Sequence, residues 1–82
     1  MVKSKRYFQD KDFLRQIADR IREIRTDNNH TQEYLIEKLH LSINSYETGA
    51  KIPTLMSILK LCVFYRITIS EFFSPIKYPP KE

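Results

Sequence analysis

Apolar residues recur along most of this chain at the spacing of one helix face rather than in strict alternation. From Asp10 to about Asp27 they fall at Phe13, Leu14, Ile17, Ile21 and Ile24, the i, i+3, i+4 pattern of a helix that buries one side. Asp10 is a suitable N-cap for this segment, and Asp12 sits well against the positive end of the helix dipole. The polar run Thr26-Asp27-Asn28-Asn29-His30 then interrupts the pattern. Thr31 is the next cap, opening a second helix over Gln32 to Leu39 with Leu35, Ile36 and Leu39 inward. After the short connection His40-Leu41, a third, brief helix follows Ser42 and stops near Gly49. Thr54 opens a fourth helix, in which Leu55, Ile58, Leu59 and Cys62 have the spacing of an inward stripe. Thr68 and Glu71 stand three apart, as a capping box requires, and open a fifth helix at Phe72-Phe73 that Ser74-Pro75 ends.

The pattern predicts an all-α bundle of five short helices, with the second and third joined tightly enough for a helix-turn-helix. It divides the chain into a basic arm at 1–9, a domain at 10–74 and a Pro-rich tail at 75–82. At 82 residues there is room for one core only, so a functional surface has to lie on the outside or in a shallow groove. A hydrophobic fraction of 41% argues against disorder. No apolar run approaches the roughly 18 residues of a membrane span, and the basic start leads into charges rather than a signal-peptide core, so a cytoplasmic protein is expected. Cys62 is the only cysteine, which excludes an internal disulfide; a small buried hydrophobe and a reactive thiol are its two readings.

Charge changes the picture modestly. The net charge of +4 fits a polyanionic partner, and the cations crowd the first third of the chain, from Lys3, Lys5 and Arg6 through Lys11, Arg15, Arg20, Arg22 and Arg25. The arm Lys3 to Tyr7 is a candidate backbone or minor-groove contact, with a frayed terminus as the alternative. His30, His40 and Cys62 are the only His or Cys residues, and no catalytic set, phosphate-binding glycine loop or ligand cluster for a metal or cofactor is visible.

Two motifs in order carry a family resemblance. Thr31-Gln32-Glu33-Tyr34-Leu35 opens the second helix, and Glu47-Thr48-Gly49-Ala50-Lys51-Ile52-Pro53-Thr54-Leu55 follows the third. With Ile17, Ile21 to Arg25 and Ile67 to Phe73, they resemble the Cro/repressor-like, or XRE, helix-turn-helix domains over about Ile17 to Phe73. The resemblance implies a repressor-like bundle that binds double-stranded DNA, as a dimer, and a transcriptional regulator, expected to be a repressor. It implies that Gln32, Ser42, Asn44 and Ser45 face the groove, while Thr31, Thr48 and Lys51 meet phosphates. It also implies that Arg25 and Glu47 pair to brace the reading helix. A solvated helix start for Gln32 and a solvated loop charge for Lys51 are the plainer alternatives. No cofactor, membrane or small-molecule ligand is expected.

The chain departs from that family between Leu39 and Glu47, where it is about three residues short, nearly one helical turn. With Ile43 and Tyr46 inward, the loss falls on the N-terminal end of the reading helix, which holds the first base-reading side chains. Weaker sequence discrimination with phosphate binding kept is the expected result. The rival function is a degenerate helix-turn-helix serving as a protein-interaction or dimerisation module, with Phe64, Tyr65, Phe72, Phe73 and Tyr78 as candidate contact rings. Asn29, His40 and Arg66 stand where the family usually has glycine. Asn and His tolerate positive φ, whereas Arg66 would hold it at a cost of about 1 kcal/mol. His40 is a candidate pH sensor or phosphate contact, or else a solvent-facing turn residue.

Overall fold

In the computed structural model, which describes residues 10–80, every regular element is a helix. The order is α1 (Lys11–Asp27), α2 (Gln32–Leu39), α3 (Ile43–Thr48), α4 (Leu55–Tyr65) and α5 (Ile69–Phe73). Local chemistry sets these boundaries. The side chains of Asp10, Thr31, Thr54 and Thr68 each accept from the backbone N–H three residues on, satisfying a donor that the first turn leaves free. Thr68 and Glu71 complete a capping box, in which Glu71 N donates to Thr68 Oγ1 at 2.9 Å and Thr68 N to Glu71 Oε1 at 2.7 Å. Ser42 is the exception, preceding α3 without a side-chain capping bond.

At the C-terminal ends the chain turns through left-handed residues. Gly49 does so at φ 83°, and Asn29, His40 and Arg66 at φ 59°, 56° and 58°. A left-handed residue there lets the chain leave the helix while its N–H still meets a carbonyl of the last turn. For Arg66 the conformation carries a steric cost that glycine avoids.

Ile17, Ile21 and Ile24 of α1, Leu35 and Leu39 of α2, and Ile43 and Tyr46 of α3 form one side of the core. Ile58, Leu61 and Cys62 of α4 and Phe72 of α5 close it. Cys62 is 1% exposed, and burial pushes its thiol pKa up, which suits the packing reading over the reactive one.

Helix α4 corrects the expected inward stripe. Ile58 and Cys62 are buried, but Leu61 joins them while Leu55 stays 68% and Leu59 40% exposed. The cause is degeneracy: α4 is apolar nearly all round, so two overlapping stripes satisfy helical spacing and packing chooses between them. The aromatic rings are mostly committed within the chain. Phe72 is fully buried, Phe64 and Tyr65 pack around His30, and Tyr78 stacks on Phe13 at 5.5 Å. Thus Tyr78, in the segment read as tail, lies on the start of α1, where its hydroxyl donates to Asp10 Oδ2 at 2.7 Å. The Asp10 carboxyl is held below its ordinary value, first by the Phe13 N–H and then by the Tyr78 hydroxyl.

Candidate nucleic-acid interface

Glu47 is the structural centre of the helix-turn-helix. Among the described residues it is the one charged side chain in the buried set, at 3% exposure, and it collects side chains from two other helices. Arg25 of α1 approaches as a two-pronged fork, Nε to Oε2 at 2.7 Å and Nη2 to Oε1 at 2.9 Å. Gln32, at the first position of α2, donates from Nε2 to Oε1 at 2.9 Å. Arg22 adds its charge at 3.6 Å and donates from Nη2 to the Glu47 carbonyl at 3.0 Å. Burial by itself would raise the Glu47 carboxyl; the hydrogen bonds from Arg25 and Gln32 and the nearby arginine charges outweigh it and hold it below its ordinary value. Arg25 Nη1 also donates to the His30 carbonyl at 2.8 Å, tying the turn before α2 into the same network.

The network has a consequence for Gln32. One N–H of its amide is engaged inside the protein, which leaves its amide oxygen and the second N–H to offer a ligand. Thr31 is exposed, with its hydroxyl accepting from Tyr34 N at 3.0 Å. Asn44 is exposed, whereas Ser42 and Ser45 are half-buried. Thr48 and Lys51 are exposed in the loop beyond α3. That loop is organised by Ser45, whose carbonyl accepts from Thr48 Oγ1 at 3.2 Å and from Lys51 N at 3.2 Å. The structure therefore brings Arg25, Gln32 and Glu47 into direct contact and joins Ser45, Thr48 and Lys51 in a second group. With only six residues, α3 presents a short outer face.

Several anchors of this unit escaped sequence reasoning. Lys60 of α4 donates from Nζ to the Leu39 carbonyl at 2.6 Å, binding the end of α2 to α4. Arg20 donates to the Phe72 carbonyl at 2.6 Å and the Glu71 carbonyl at 2.8 Å, covering the end of α5. The Tyr65 hydroxyl meets His30 Nδ1 at 2.8 Å, and burial foremost raises its pKa to about 12. The only hint of these in the sequence is a long polar side chain beside apolar ones, which many surface positions share.

A brief helix entered through a tight turn from α2, braced from below by an arginine–glutamate pair, defines a helix-turn-helix unit. The helix-turn-helix family matches residues 21–72, and the chain belongs to that family. It is similar to the HTH-type transcriptional activator BcrR of Enterococcus faecalis, at 34% identity over 59 residues. That alignment covers 68% of this chain and 29% of the relative, so the chain spans less than a third of the relative's length. No solved structure matches it. Among the described residues, no helix is long and apolar enough to cross a membrane.

Proposed function

We propose that this protein is a transcriptional regulator that docks its helix-turn-helix in the major groove of double-stranded DNA. The observation that carries this reading is the Glu47 network, which locks the start of α2 to α3 through Arg25 and Gln32. Such a lock presents two elements to one duplex at a constant angle, and pre-organisation of that kind lowers the cost of binding. Gln32, Ser42, Asn44 and Ser45 are assigned to the groove. Thr31, Thr48 and Lys51 are assigned to phosphates, which set position and carry no sequence information. Arg25 and Glu47 act as the brace. The six-residue α3 favours modest discrimination, since each absent two-pronged base contact forgoes about 1–3 kcal/mol.

A homodimer is part of the proposal, and the outer face of α4 supports it. Leu55, Met56 and Val63 are 68%, 70% and 69% exposed, and with Leu59 they follow helical spacing on one side of α4. Together they leave on the order of 500 Å² of apolar surface, near the upper end of what monomers carry. A symmetric pair needs about 800 Å² from each copy, so this face supplies the apolar centre of such an interface. A dimer occupying its site would repress by occlusion; the activator in the relative's name marks the opposite output of a related domain. The protein would act in the cytoplasm, on the nucleoid. The same α4 face favours a second reading, a protein-docking module on a helix-turn-helix scaffold.

Selection from randomised duplex DNA, followed by affinity against salt, separates these readings. Enrichment of a partly palindromic site, with affinity falling linearly in log salt, is the expected result. Salt-sensitive binding without enrichment would mean docking without base reading. Absence of binding at low salt would overturn the DNA reading in favour of a protein partner.

A further inference from the structure

Beside the loop that follows α3 lies a groove of about 760 Å³, walled on its other side by the first half of α1. Lys11, Arg15 and Arg22 on α1 and Lys51 on the loop line it, over an apolar floor that includes Ala18 and Ile52. Two carboxylates also belong to the lining, Asp19 and Glu47. Glu47 is buried and neutralised by Arg25, and Asp19 is held by Arg22 at 3.3 Å. Open charge in the groove is therefore predominantly positive. Arg15 is 65% exposed, with only a 3.5 Å partner in Asp12, itself 71% exposed, so solvent screening leaves its charge available.

We infer that this groove is a second DNA-backbone site, in which Lys11 and Arg15 extend the phosphate contact of Lys51 along α1. The inference rests on the DNA reading above and adds residues that lie before the family match, which begins at residue 21. Its geometry is simple. Lys11 and Arg15 stand about one turn apart on one face of α1, about 6 Å along its axis. One strand of B-DNA presents a phosphate every 3.4 Å or so of axis, so a pair at that spacing can meet two of them. Lys51 of the loop lines the same groove as Lys11 and Arg15, and the two carboxylates of the lining, Asp19 and Glu47, are each paired with an arginine. Flexible cations over a shallow apolar floor suit a sugar-phosphate chain, which is held by charge and shape and not by the pattern of a base edge.

The test is the salt dependence of duplex binding for the full chain and two double variants, with folding checked by thermal melting. Lys11→Ala with Arg15→Ala should lower the slope of log affinity against log salt by about 1.8, at about 0.9 for each phosphate no longer neutralised. It should weaken binding to all sequences alike, leaving their rank order unchanged. Lys38→Ala with Lys77→Ala removes the same charge elsewhere and should move the slope less. An unchanged slope in the first variant, an equal change in both, or an altered rank order would each overturn the groove while leaving the DNA reading intact. Failure of the unmodified chain to bind duplex would overturn both.

Discussion

Removing the Arg25 side chain tests the brace most directly, because it strands a buried carboxylate. Arg25→Ala deletes two charge-assisted bonds to Glu47, at 2.7 and 2.9 Å, and a third to the His30 carbonyl at 2.8 Å. Breaking a buried ion pair from one side costs about 3–5 kcal/mol. Gln32 at 2.9 Å and the half-exposed Arg22 at 3.6 Å remain with Glu47, which places the loss toward the lower figure. A domain of this size has a total stability of about 4–12 kcal/mol, so a loss of about 3 kcal/mol is a large share. With a urea slope of about 1–1.5 kcal/mol per molar, the unfolding midpoint should fall by roughly 2–3 M.

The pH dependence should change with it. In the intact protein the Glu47 carboxyl is held below its ordinary value, so the folded state binds its proton more weakly than the unfolded state. That contribution is full above the unfolded value and fades as pH falls through the folded one. Without Arg25, burial dominates and raises the carboxyl above its ordinary value. The variant's penalty is then full at pH 7 and shrinks as pH falls through the raised value. The stability gap should therefore narrow between pH 7 and pH 4. A cost under about 1 kcal/mol at pH 7, or a gap that does not narrow, would refute this account. Arg25→Met combined with Glu47→Leu removes both charges and should recover much of the loss, since apolar replacement of a buried pair is often neutral.

Other expectations can be checked independently. Arg66→Gly relieves a left-handed backbone at φ 58° and should raise stability by about 0.5–1 kcal/mol in chemical denaturation. Destabilisation would mean that the Arg66 side chain contributes more than its backbone costs. Met56→Glu with Val63→Glu changes two residues that are 70% and 69% exposed, so the fold should survive. Sedimentation should then show a dimer replaced by a monomer, and a monomeric parent protein at micromolar concentration would refute the α4 interface.

How much of this molecule is legible in its sequence follows from the range of the interactions involved. Helix starts are short-range events. A Thr or Asp side chain reaches the N–H three residues ahead, so Thr31, Thr54, Thr68 and Asp10 mark their helices without knowledge of the rest of the fold. The left-handed ends at Asn29, His40 and Arg66 were reached through the glycine positions of the resembled family, although Asn and His also tolerate that conformation. The approach of Arg25 to Glu47 came from a family resemblance, because no local rule joins positions 22 residues apart. Beyond that range the sequence was silent. Arg20 meets the α5 carbonyls from 52 and 51 residues away, and Lys60 reaches Leu39 from 21. These contacts depend on the angle at which helices cross, which no short stretch encodes. The turned face of α4 has the same origin. Its two apolar stripes are nearly equivalent as sequence, and packing into the core that holds Ile21, Leu35 and Phe72 chooses between them. Local hydrogen bonding thus made the helices readable residue by residue, while close packing, a property of all the helices together, determined which apolar face was left outside.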